Sequence, residues 1–156
     1  MENNKVKIIY ILFIFIILFA VSGCSLQVTA EVPPGFAVSK KRGSFLIYSP
    51  DGFKMKIKAE RNNPQKDTLF WTEALKTHLV NNGYFLLDEA PFYSKNLEGV
   101  KFTWLMPVAY DYYKYMTAVA VKGNKIYIIE ASGEKKLFET YEEDIETIIS
   151  SIHAGK

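Results

Sequence analysis

Residues 53–59 read FKMKIKA, the clearest periodic stretch of the chain. Apolar side chains alternate there with lysines, so a β-strand over these residues has one apolar and one solvated face. Residues 45–48, FLIY, precede it, and the intervening SPDG at 49–52 is a turn sequence. The stretch therefore predicts two antiparallel strands, one side of which lies against a core.

A helix is predicted over residues 68–81, soon after this strand pair. Asp67 offers a carboxylate that caps its amino terminus, and Gly83 provides a stop beyond its carboxyl end. One side of the helix carries the larger side chains, Trp71, Leu75, His78 and Leu79. This side is expected to face the sheet.

Strands and one more helix fill the rest of the chain. Strands are predicted at 84–87, with an extension to 93, and at 100–108, 112–121 and 125–131, the last two forming an antiparallel hairpin around KGN at 122–124. A final helix is predicted over 137–152, because apolar residues recur there at intervals of three and four positions. They are Phe138, Tyr141, Ile145, Ile148, Ile149 and Ile152. This order predicts an α+β domain with an antiparallel β-sheet covered by helices.

The first 23 residues have the pattern of a cleaved signal peptide. Lys5 and Lys7 precede the apolar run 8–21, and two small residues follow it. The run is shorter than the roughly 20 residues of a membrane span, so a permanent span is the weaker alternative. Val21-Ser22-Gly23-Cys24 resembles the bacterial lipobox, and Cys24 is the only cysteine. The resemblance implies cleavage before Cys24 and lipidation of its thiol. A chance cysteine beside an ordinary cleavage site is the alternative.

A lipid on Cys24 would place the protein outside the cytoplasm, anchored to the cell membrane. Ser25 stands where an aspartate would resemble an inner-membrane retention signal, which favours the periplasmic side of the outer membrane in a Gram-negative cell. Residues 24–43 contain Pro33-Pro34-Gly35 and little periodicity, so they are predicted to be a lipidated tether. Residues 44–153 then form one folded domain.

The elements of residues 44–153 resemble the PsbP superfamily. The likeness lies in the strand pair around SPDG, the helix with Trp71, the Gly83-Tyr84 start of the next strand, the aromatic hairpin and the closing helix. That superfamily includes an extrinsic photosystem subunit, a Ran-binding nuclear import factor and lipoproteins such as DcrB. A PsbP/DcrB-like domain implies an α/β/α sandwich that serves as a binding or assembly module, with no shared catalytic residue.

Motifs for catalysis, metal binding or nucleic-acid binding are not apparent. The formal net charge of +2 includes no concentrated basic face, which argues against nucleic acid as a partner. No metal-ligand spacing, Gly-rich phosphate loop or Gly-x-Ser-x-Gly is present, so no metal or cofactor is predicted. His78 is more readily a structural or partly exposed residue, and the adjacent Asp88 and Glu89 would point apart. A non-enzymatic module is favoured; a cell-envelope hydrolase or carbohydrate-active enzyme is the alternative.

Aromatic residues concentrate where the central strands are predicted. They could form an exposed face that binds a protein or another envelope component, or they could pack across neighbouring strands inside the domain. The candidate binding face consists of Trp104, Tyr110, Tyr112, Tyr113 and Tyr115.

Overall fold

The computed structural model describes residues 28–41, 44–108 and 111–155. The predicted signal peptide and Cys24 lie outside these ranges. The strands are β1 Val28–Thr29, β2 Ala37–Lys41, β3 Ser44–Tyr48, β4 Lys54–Arg61, β5 Phe85–Tyr93, β6 Glu98–Val108, β7 Asp111–Lys122, β8 Lys125–Glu134 and β9 His153–Ala154. The helices are α1 Thr68–Asn81, α2 Lys135–Thr140 and α3 Glu142–Ser151.

Seven strands form one antiparallel sheet in the order β2-β3-β4-β8-β7-β6-β5. The predicted hairpins are confirmed: β3 and β4 flank the SPDG turn, where the backbone N–H of Phe53 donates to Ser49 Oγ at 2.9 Å. The alternation in FKMKIKA also holds, because Met55 and Ile57 are buried while Lys54 is exposed.

One face of the sheet, here called the closed face, packs against α2 and α3. Met55, Ile57, Met116 and Ile129 lie on it together, because β4, β8 and β7 pair in register there. The apolar stripe of the closing helices covers these strands, and its fully buried members include Ile148, Ile149 and Ile152. The main core of the domain therefore lies on the closed face.

Helix α1 covers part of the opposite face, here called the open face. The Asp67 carboxylate accepts from the backbone N–H of Phe70 at 2.9 Å, which confirms the predicted cap. Gly83 adopts a φ of 84°, as the helix stop requires. Leu79 packs with Phe102 and Trp104 in a second, smaller core. Helices on both faces of an antiparallel sheet confirm the predicted α+β class and the α/β/α sandwich.

The predicted tether is wrong for much of residues 28–41. β1 pairs with β9, with Val28 opposite Ala154, and β2 forms an edge of the large sheet beside β3. β1 pairs with a segment far away in sequence, which local periodicity does not reveal. β2 pairs with the adjacent β3, but it is largely exposed on both faces, so its residues lack the alternation by which a strand is recognised. The folded domain therefore includes residues on both sides of the predicted boundary at 44.

The single closing helix is also wrong, because Tyr141 separates α2 from α3. The Tyr141 hydroxyl is 3.0 Å from each carboxylate oxygen of Asp51, in the turn between β3 and β4. Asp51 lies 90 residues away in sequence, so this contact is tertiary. Within the described ranges, none of the helices is long and apolar enough to cross a membrane.

The sheet has two ends, which differ in their loops. The β9 end contains the loop 62–67, the turns at 94–97 and 123–124, and β9 itself. Two contacts join these loops: the backbone N–H of Asn62 donates to the backbone carbonyl of Asn124, and the Lys122 ammonium donates to the backbone carbonyl of Asn96 at 3.2 Å. The far end contains the turns at 49–52 and 82–84. Helix α1 runs from the β9 end to the far end.

Candidate functional site

Trp104 has no exposed surface and is not part of a binding face. Its indole N–H donates to the hydroxyl of Thr117 at 2.9 Å, and its ring lies 5.3 Å from that of Phe102. Helix α1 covers this position through Leu79. The prediction of an exposed face is wrong for Trp104, because cross-strand neighbours and the helix bury it.

Tyr115 is half-buried on the open face, opposite Trp104 in the strand pairing. Its hydroxyl donates to Glu130 Oε1 at 2.6 Å, and its ring lies 5.6 Å from that of Tyr84. Burial, followed by the hydrogen bond to Glu130 and the charge of that carboxylate, raises the pKa of Tyr115 above its ordinary value. Tyr115 therefore remains protonated and acts as a hydrogen-bond donor at neutral pH.

The other three tyrosines are not brought into one described surface. Tyr113 is half-buried and pairs with Met106 and Glu134 across the strands. Tyr112 is described as a backbone position opposite Pro107, and Tyr110 lies outside the described residues. The candidate face predicted from sequence is therefore not established as a unit.

Exposed apolar side chains that the sequence analysis missed lie at the far end, in the last turn of α1 and at the start of β5. We call them the apolar edge, and they are Val80, Phe85, Leu86 and Leu87, which are 51%, 62%, 37% and 51% exposed. β5 is the outermost strand on its side of the sheet, and its pairing with β6 is interrupted between Leu86 and Asp88. The uninterrupted apolar run at 84–87 was a signal, but only the strand order shows that it is exposed.

A second candidate is the cleft between α1 and the open face, with a volume of about 350 Å³. The Trp71 side chain lines it, and its indole N–H donates to Asn62 Oδ1 at 2.7 Å. Asn62 is itself fixed by bonds to the backbone of Lys66. Apolar strand residues complete the walls, and Glu60, Arg61 and exposed His78 line the cleft as well. The cleft is preformed around a fixed indole ring.

The remaining polar candidates do not form a reaction centre. Asp88 and Glu89 are both exposed on β5, and Glu89 pairs with Lys76 at 2.6 Å. The bond to Glu89 is the main cause of a raised pKa at Lys76. Across residues 28–41, 44–108 and 111–155, no three His, Cys, Asp or Glu side chains are grouped so as to hold a metal ion.

Comparison with known proteins identifies the fold. No family model and no curated protein matches the sequence. Among solved structures, LpqN of Mycobacterium tuberculosis, involved in cell envelope biogenesis, matches with a TM-score of 0.58 at 10% identity, over 87% of each chain. The cyanobacterial PsbP of Synechocystis sp. PCC 6803 matches with 0.57 at 10% identity, over 86% of this chain and 95% of that one.

Two further structures share the architecture. The Ran-binding protein Mog1p of Saccharomyces cerevisiae has a TM-score of 0.54 at 13% identity, over 86% of this chain and 92% of its own. A longer chain from Bacteroides thetaiotaomicron has 0.56 at 17% identity; the match covers 83% of this chain, which spans only 45% of that one. The PsbP-like fold predicted from the sequence is thereby confirmed.

Proposed function

We propose that this protein is an envelope lipoprotein, anchored through lipid on Cys24, whose PsbP-like domain binds a protein partner and catalyses no reaction. Its location would be extracytoplasmic, on the periplasmic side of the outer membrane in a Gram-negative cell. The observation that carries the binding role is the apolar edge. The anchor is supported by the Val21-Ser22-Gly23-Cys24 sequence.

The apolar edge favours a polypeptide as the partner. Phe85 and Leu87 are 62% and 51% exposed, and apolar area left in water costs about 25 cal/mol for each Å². The outer side of an edge strand also presents backbone N–H and C=O groups that another strand can pair with. A partner that adds a strand beside β5 would satisfy these groups and cover the apolar side chains together.

Proteins of similar fold support the same class of function. Mog1p is a Ran-binding protein, and LpqN is involved in cell envelope biogenesis. At 13% and 10% identity, these likenesses concern the fold, and the partner of this chain has to be recognised by its own surface. The apolar edge is that surface in our proposal.

The binding role can be tested with a photo-crosslinking amino acid at position 85 of the anchored protein in its native cells. The matched control places it at Tyr93, which is 68% exposed at the other end of β5. We expect one defined protein adduct from position 85, lost when Leu87→Ser is added, and no such adduct from position 93. Equal adducts from both positions, or an adduct that survives Leu87→Ser, would refute the apolar edge as the binding surface.

The anchor requires its own test, by metabolic labelling with a radioactive fatty acid. We expect label in the wild-type protein and none in Cys24→Ala, which should also retain an uncleaved leader. Label that persists in Cys24→Ala would contradict lipidation at this thiol.

The cleft supports a second candidate, a cell-envelope hydrolase. This candidate is favoured by the presence of His78 and Glu60 in the lining of one preformed cleft, where an imidazole base and a carboxylate can act on the same ligand. An enzyme would degrade purified cell-wall material, and His78→Ala would abolish the activity while Lys125→Ala preserved it. Absence of wall degradation by the wild-type protein would remove this candidate.

A further inference from the structure

The amino-terminal part of the described chain is fixed to the β9 end. Val28 is only 5% exposed and pairs with Ala154. The Asn96 side chain holds both backbone groups of Ala154: its amide donates to the carbonyl at 2.7 Å and its oxygen accepts from the N–H at 2.8 Å. The chain therefore joins the folded domain at the β9 end, from Val28 onward.

This attachment restricts how far a lipid anchor on Cys24 lets the domain move from the bilayer. Four Cα-to-Cα steps separate Cys24 from Val28, and even a fully extended chain spans about 14 Å over them. The eleven residues of β6 extend about 36 Å along the sheet, so the spacer is much shorter than the domain. An anchored domain must keep its β9 end close to the headgroups.

Apolar residues are exposed at this same end. Leu69 and Phe70 lie in the first turn of α1 and are 68% and 44% exposed. The Lys66 ammonium lies 5.4 Å from the centre of the Phe70 ring. Apolar side chains beside a lysine match the boundary between lipid headgroups and acyl chains, where the apolar groups enter and the cation stays with the phosphates.

Charge at the β9 end also favours an anionic surface. Among the described carboxylates there, Glu31 pairs with Lys95, Glu60 pairs with Lys58, and Asp67 caps α1. Asp67 keeps its negative charge, and with Glu98 it is outnumbered by four cations at this end, namely Arg61, Lys66, Lys122 and Lys125. The balance is reversed at the far end, where Glu139 pairs with Lys114 and the exposed carboxylates Glu134, Glu142 and Glu143 outnumber Lys135 and Lys136.

We propose that the β9 end is a membrane-docking surface, on which Leu69 and Phe70 enter the headgroup region of an anionic bilayer and the neighbouring cations contact lipid phosphates. This inference rests on the proposed anchor and adds an orientation to it. Helix α1, about 20 Å long, then points away from the bilayer. Its carboxyl end holds the apolar edge out of the membrane, where a protein partner can reach it.

The test compares the two ends of α1 in the lipidated protein, reconstituted into vesicles of phosphatidylcholine with phosphatidylglycerol. Phe70→Cys and Val80→Cys each carry a polarity-sensitive fluorophore, since lipid blocks the thiol of Cys24. We expect the label at 70 to shift to the blue and become several-fold less accessible to an aqueous quencher. The label at 80 should keep its accessibility. Equal protection at both positions, or greater protection at 80, would overturn the docking surface.

A charge variant tests the choice of lipid. In the variant with Lys66→Glu and Lys122→Glu, the quencher should regain most of its access to the label at 70. The same gain is expected for the protein without these two substitutions in vesicles of phosphatidylcholine alone. Lys135→Glu with Lys136→Glu, at the far end, is the matched control and should leave protection intact. If the label at 70 is equally protected in both kinds of vesicle and in the variant with Lys66→Glu and Lys122→Glu, docking on an anionic bilayer is refuted.

The mass of the purified chain separates failure of this inference from failure of the anchor. A chain that carries diacylglycerol on Cys24 but shows equal quenching at both labels overturns the docking surface and leaves the anchor in place. A chain whose mass shows no lipid overturns the anchor, and the orientation fails with it.

Discussion

The closed and open faces of the sheet differ in how completely helices cover them. On the closed face, α2 and α3 bury a continuous apolar cluster that extends from Phe45 on β3 to Phe92 on β5. On the open face, α1 buries a smaller cluster around Trp104 and leaves both a cleft and half-buried strand residues such as Tyr115 beside it. The closed face provides most of the stability, whereas the open face and its margins are accessible to ligands and partners.

The largest effect is expected from a cavity on the closed face. Ile148 is fully buried, so Ile148→Ala should lower the free energy of unfolding by about 2–5 kcal/mol, measured by urea denaturation. Ile148→Val is the graded control and should cost about 0.5–1.5 kcal/mol. A loss for the alanine variant no larger than for valine would mean that the closed face is not the main core.

A hydrogen bond on the open face should contribute less. Trp104→Phe keeps an aromatic ring but removes the donor to Thr117, whose side chain is also fully buried. Leaving that hydroxyl without its donor should cost about 1–3 kcal/mol. Adding Thr117→Val removes the second polar group, so the double variant should recover part of the loss. Additive losses would show that the two side chains are not coupled.

Tyr115→Phe should cost about 1 kcal/mol at neutral pH, because the hydroxyl loses its bond to Glu130 on the open face. The raised pKa of Tyr115 means that the folded state holds the phenolic proton more tightly than the unfolded chain. That stabilisation is fully present below the ordinary tyrosine pKa of about 10 and is lost as the pH rises through the folded-state value. Urea titrations should therefore show the advantage of wild type over Tyr115→Phe shrinking above pH 10; a constant difference would contradict it.

Local signals predicted the elements and therefore most of the fold. The SPDG turn, the Asp67 cap and the alternation of 53–59 each act within a few residues, and each is where it was expected. Two of the errors involve distant partners: Val28 pairs with Ala154, and the Tyr141 hydroxyl donates to the carboxylate of Asp51. The third is β2, which is largely exposed on both faces and therefore shows no alternation. A sequence shows that such segments are polar or irregular, but it does not show which distant residues form hydrogen bonds with them.

The candidate site was less predictable for the same reason. Aromatic composition indicated Trp104 and Tyr115, but exposure depends on where α1 crosses the sheet. The apolar edge is exposed because β5 is an outermost strand, which follows from the order of all seven strands. Burial and edge position are properties of the whole topology, and no window of sequence contains them.

The smallest effect on stability is expected where we place the binding surface. Leu87 is 51% exposed, so Leu87→Ser should change the free energy of unfolding by no more than about 0.5 kcal/mol. Leu79, eight positions earlier, is 7% exposed in the open-face core, and Leu79→Ala should cost about 2–5 kcal/mol.

The contrast between these two leucines separates binding from folding at the far end. If Leu87→Ser lowers the free energy of unfolding as much as Leu79→Ala does, the apolar edge is a structural element. Loss of the cross-linked adduct in Leu87→Ser would then have no bearing on binding. If its urea midpoint matches wild type while the adduct from position 85 disappears, the leucine acts on the partner. An exposed apolar side chain that adds nothing to stability, yet is required for one specific contact, is what a docking edge demands.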